Sequence, residues 1–103
     1  MPWFSVACYL VNRVQPPSQR LYEESVFLVQ AIDAEGAIES ATNLARLNQV
    51  AYRSISGESV EWEFYAAGTA FELLNDPGEG VEVFGRFLSE AAVMAIIQPN
   101  ATS

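Results

Sequence analysis

Histidine and lysine are absent from the sequence, and its five basic residues are all arginine. Without imidazole the chain lacks the usual general base, the commonest metal ligand and the only side chain whose unperturbed pKa lies near neutrality. Without an ε-amino group it lacks Schiff-base chemistry and the lysine of a phosphate-binding loop. Thirteen acidic side chains stand against those arginines, for a net charge of -8. Duplex nucleic acid and anionic membranes are bound through cations that displace counterions, so neither is an expected partner. The single cysteine, Cys8, permits no internal disulfide and gives no sign of an oxidising compartment. The opening run MPWFSVACYLV has no positively charged region ahead of it, so secretion is not indicated and a cytoplasmic location is expected.

Charge is scarce as well, at 17% of residues against about 25% in an average globular chain, while apolar residues reach 50%. Such a composition folds. At 103 residues there is room for one domain, which is expected to span residues 1–99, with 100–103 as a polar C-terminal tail. A domain of this size buries only about two-thirds of its unfolded surface. Some of its 12% aromatic content must therefore stay exposed or meet another subunit.

Trp3 to Val14 is rich in β-formers and apolar on both faces, which predicts a strand covered on two sides. Pro16-Pro17-Ser18 ends it. Leu21 to Ile32, opening on the acidic pair Glu23 and Glu24, predicts a second strand that pairs with the first as a hairpin. Asp33 is the expected N-cap of a helix with Glu35 in its first turn. Apolar positions from Ala34 to Ala51 recur at three and four, which predicts an amphipathic helix of about five turns, ended by Ile55-Ser56-Gly57. Val60 to Leu73 alternates again, with Trp62, Phe64 and Ala66 inward and Glu61, Glu63 and Tyr65 outward. After the turn signal Asn75-Asp76-Pro77-Gly78, Gly80 to Leu88 predicts a fourth strand, and Ser89-Glu90 caps a short helix through Ile97, halted before Pro99. The expected class is α+β, in the order β-β-α-β-β-α: a four-stranded, mainly antiparallel sheet packed against one long amphipathic helix, with a short C-terminal helix.

The candidate site residues are Glu23, Glu24, Glu61, Trp62, Glu63, Tyr65 and Arg86. Glu61 and Glu63 share a strand face and could do acid–base work or hold a hard cation, but alternation alone places them on a solvated outer face. Trp62 could stack a ligand, though a Trp in that setting more often belongs to a core. Arg86 shares a face with Glu82, which favours a cross-strand charge pair over anion binding. Cys8, with no base or cation nearby in sequence, reads as an inert small apolar residue. No catalytic residue, metal or cofactor is assigned.

The segments LYEESVFLVQA, VEWEFYAAGTAFELL and GVEVFGRF, in that order around one helix, resemble a family of small bacterial proteins known as domain of unknown function 4288. The resemblance spans roughly residues 3 to 90 and rests on Glu23 with Glu24, on Trp62, and on the run from Glu82 to Phe87. The family carries a Ser before the Arg where this chain has Gly85. The resemblance implies a bacterial, cytoplasmic single domain and no established activity.

Three functional readings fit these features, in order of preference. The first is a non-catalytic interaction module with an acidic surface for a basic protein, such as an inhibitor. The alternative is a small-ligand sensor with an aromatic pocket between sheet and helix, lined by Trp62, Tyr65 and Tyr9. Last comes a carboxylate enzyme using a metal, which the missing His and Lys disfavour. A homodimer is expected, because one helix about 10 Å wide cannot cover both faces of a sheet nearly 20 Å across.

Overall fold

A computed structural model of the protein describes residues 1–12, 21–49 and 62–97. The element order is β1 (Trp3–Asn12), β2 (Tyr22–Gln30), α1 (Ala34–Gln49), β3 (Trp62–Glu72) and α2 (Glu90–Ile97). The three strands form one antiparallel sheet in the order β2-β1-β3. The hairpin of β1 and β2 forms as its sequence predicts, with Val6 opposite Phe27 and Phe4 opposite Val29. Asn12 closes its end: its side-chain Oδ1 accepts from the Leu21 amide at 2.7 Å, and its own amide donates to the Leu21 carbonyl at 3.1 Å.

The apolar character of both faces of β1 places it at the centre of the sheet. Its even-numbered side chains Phe4, Val6 and Cys8 join Val29, Ala31 and the helix residues Ala37, Ala41 and Ala45 in the core, with Phe27, Phe64, Ala67 and Ala70 packed around them. Alanines four apart line a single helix face, and all three are fully buried. Methyl groups on one side and Ala67 and Ala70 on the other let α1 lie close to β3. Burial of Phe4, Val6 and Leu10 contributes about 1.5 to 3 kcal/mol each. At the first turn of α1 the Gly36 amide donates to Asp33 Oδ1 at 2.8 Å, so Asp33 is the N-cap its sequence position predicts. Near the other end, the Arg46 guanidinium lies 5.3 Å from the centre of the Phe64 ring, a cation–π contact that ties α1 to β3.

The expected fourth strand does not form, and this corrects the four-stranded sheet to a three-stranded one. Residues 81–88 carry no regular structure. In an extended strand, side chains 82 and 85 point to opposite faces; here Glu82 Oε1 lies 3.0 Å from where a Gly85 Cβ would be, so the segment curls back on itself. Gly80 starts it in the left-handed region at φ 81°, where glycine is unstrained. Phe84 then turns onto Phe71, with ring centres 6.0 Å apart, instead of pairing along the sheet. The second hairpin is corrected with it, since β3 pairs with β1. The predicted end of the long helix (Ala51 to Gly57), the break at Pro16-Pro17-Ser18, Val60 and the C-terminal tail all lie outside the described residues.

The strand β3 is irregular in two places. Val6 faces Ala70 and Cys8 faces Ala67, so Ala7 is met by both Gly68 and Thr69; Tyr9 faces Ala66 and Leu10 faces Phe64, so Tyr65 is the extra residue of a second bulge. Each bulge reverses the inward and outward phase of the strand beyond it. Ala66 therefore shares the face of Tyr9, away from α1, and Ala67 takes the inward place expected of Ala66.

α2 begins where Ser89 caps it: Ser89 Oγ accepts from the Ala92 amide at 3.2 Å. Although its sequence EAAVMAII is apolar almost all round, none of its residues is buried, and it packs against no other described strand or helix.

Candidate functional site

One face of the sheet is seated on α1; no described strand or helix rests on the other, the open face, where Ser5, Ala7 and Val11 of β1 are nonetheless buried. Pairing puts Tyr22, Val26 and Leu28 of β2 beside Val11, Ala7 and Ser5 of β1 on the open face. Tyr22, Val26 and Leu28 are 55%, 49% and 41% exposed, a largely apolar strip interrupted by the exposed Glu24, on which no described element rests. Across the sheet, the rings of Tyr22 and Tyr65 meet edge to face, with centres 5.2 Å apart.

The β3 half of the same face holds a half-open cleft of about 570 Å³. Its floor is Ala7 and the bulge residues Gly68 and Thr69; its walls are the rings of Tyr9, Phe71 and Phe84, with the exposed Arg86 and Phe87 at its rim. Gly68 keeps the floor low. A Cβ there would stand 3.4 Å from the Ala7 carbonyl oxygen and 3.7 Å from the Tyr9 ring, inside the space the cleft now offers. The Tyr9 hydroxyl donates to Glu24 Oε2 at 2.7 Å, which fixes the ring. That hydrogen bond is the main cause that lifts the Tyr9 phenol above its ordinary pKa; desolvation and the negative charge of Glu24 add to it, and the positive charge of Arg86 works against it. A smaller cleft of about 220 Å³ adjoins on the far side of Phe71, where Glu79 and Glu82 make the lining acidic.

A family model for a domain of unknown function, DUF4288, matches residues 3–85. The chain belongs to that family. No curated protein and no solved structure matches it. The match covers the three strands and α1, and α2 lies beyond it.

In this DUF4288 chain the acidic pair of β2 is split between the two faces. Glu24 meets Tyr9 on the open face, whereas Glu23 stands opposite Leu10 on the α1 side, where its Oε1 accepts from Ser25 Oγ at 3.0 Å. Adjacent strand residues point opposite ways, so they do not act as a pair. Glu63 faces Val11 on the open side and Trp62 faces Asn12 on the other, both half-buried; Glu61 lies outside the described residues. Tyr65 is 62% exposed. Arg86 lies in no described strand, so the cross-strand setting expected for it is missing among the described residues, and it lines the cleft instead. The expected aromatic pocket between sheet and helix is likewise displaced: alanines fill that space, and only Tyr9 of its three residues lines the cleft on the opposite face. Sequence reading missed Gly68, Phe71, Phe84 and Phe87. A glycine inside an otherwise alternating strand is the signal that could have marked the bulge.

Cys8 is fully buried among core residues, and burial pushes its thiol above the ordinary range, away from the reactive thiolate. Among the described residues, no three His, Cys, Asp or Glu side chains gather to hold a metal ion. None of the described helices is long and apolar enough to cross a membrane.

Proposed function

We propose that this DUF4288 chain is a non-catalytic interaction module whose working surface is the β2 half of the open sheet face, and that a second copy covers it with α2. The observation that carries this reading is the coexistence of two largely apolar surfaces on which no other described strand or helix rests. One is the strip Tyr22, Val26 and Leu28; the other is α2, with Met94, Ile96 and Ile97 at 43%, 55% and 63% exposure. An exchange of helices about a two-fold axis buries both, twice over.

Charge decides which surfaces meet: α2 carries only Glu90, so it is the element that a chain of net charge -8 can bring to a copy of itself at least electrostatic cost. The remaining surface of such a dimer is acidic and would steer a basic protein toward it.

Light scattering tests the reading. The parent should weigh twice 11.3 kDa, and Val26→Glu with Leu28→Glu, two exposed sites where charge does not disturb the core, should weigh that figure once while keeping the parent's circular dichroism. A parent that weighs 11.3 kDa at every concentration overturns it.

A further inference from the structure

The cleft on the β3 half of the open face carries a different chemistry from the strip on the β2 half. Its walls are the three aromatic rings of Tyr9, Phe71 and Phe84, so it accepts an apolar, flat body. At its exposed rim is Arg86, whose guanidinium makes no ion pair among the described residues. An arginine presents a planar fork that matches a carboxylate in two parallel hydrogen bonds. Among the acidic groups of this region, Glu24 accepts from Tyr9, and Glu79 and Glu82 line the neighbouring cleft, Glu82 with its Oε1 beside Gly85. Gly68, the bulge residue at the floor, leaves open the volume that any side chain would occupy, and bulges recur beside binding sites because they re-aim the side chains around them.

We infer that this cleft is a binding site for a small aromatic monocarboxylate, held with its ring against Tyr9, Phe71 and Phe84 and its carboxylate on Arg86. The volume of about 570 Å³ falls within the range of small-molecule sites, roughly 300 to 1,000 Å³. A neutral ring lacks the charge-assisted contact. A dianion or a phosphate ester meets one arginine on a chain of net charge -8 and is disfavoured by the surplus. Binding here is independent of dimer formation, since it uses the other half of the face.

The probes are 2-naphthoate and its uncharged counterpart 2-naphthamide, titrated into the full chain and followed by amide chemical shifts. The naphthoate should shift Gly68, Thr69 and Gly85 saturably, and should bind about tenfold more tightly than the amide, the worth of one charge-assisted hydrogen-bonded contact. Arg86→Gln should abolish that preference, leaving amide binding as in the parent. Gly68→Leu should weaken both probes by filling the floor, with unchanged amide shifts along α1 reporting an intact fold. Equal affinity of the parent for the two probes, a shift map on Val26 and Leu28 instead of the bulge, or no saturable shift in the millimolar range each overturns the inference. So does an apparent affinity that weakens as protein concentration rises, because another subunit would then be filling the cleft; failure of the dimer reading alone leaves the probe titration unchanged.

Discussion

Ser5 sits on β1 between Leu28 and Phe71, is fully buried, and its Oγ has no hydrogen-bond partner among the described residues. A buried hydroxyl left unpaired forfeits its contacts with water and regains nothing. Ser5→Ala is therefore expected to raise stability by about 1 kcal/mol, seen as a melting temperature some 4 to 8 °C higher in a domain of this size; a lower melting temperature would mean that the hydroxyl is satisfied in solution. Single residues differ in how far the sequence declares them. Asp33 was legible because an N-cap depends only on its own side chain and the next three amides. The apolar character of Cys8 was legible because its neighbours hold no charge that could activate it. Arg86 was not, because its role depends on where the chain around Gly85 turns, and that turn is set by contacts with Phe71 far back in sequence.

α1 is held by small residues. Ala37, Ala41 and Ala45 are all at 0% exposure and look onto Phe4, Val6, Cys8, Ala67 and Ala70, so no room exists for a longer side chain. Ala41→Leu should cost about 1 to 3 kcal/mol through overpacking, measured as a lower midpoint in urea with little change in slope. Retention of the parent's midpoint would show that the helix can ride outward freely. At this scale β1, β2, α1, β3 and α2 were all legible, each from its own periodicity and caps. The span 80–88 alternates just as well, yet alternation records only which residues could face one way; strand formation also needs a partner, and the two glycines turn the segment onto the open face instead. The cleft was illegible for a related reason. Its floor depends on the bulge at Gly68 and Thr69, which a strict period of two cannot represent.

Taken as a whole molecule, a chain of net charge -8 repels its own copies, while an apolar helix and an apolar strip attract them. Salt weakens the first and leaves the second, since the Debye length falls to about 3 Å at 1 M. Dissociation of the proposed dimer, measured by sedimentation equilibrium, should therefore become weaker as salt is raised; a dimer loosened by salt would instead be one held by ion pairs. The three-stranded sheet also has two outer edges, and they are unequal. β2 pairs with β1 in unbroken register from Trp3 and Gln30 to Val11 and Tyr22, whereas β3 is broken twice, at Gly68 with Thr69 and at Tyr65. A broken edge twists its free amides out of line and cannot template an incoming strand, so end-to-end stacking of sheets into a fibril is blocked on that side. Open-ended growth needs two compatible edges. The same bulges that shape the cleft should thus favour assemblies that close over open-ended growth.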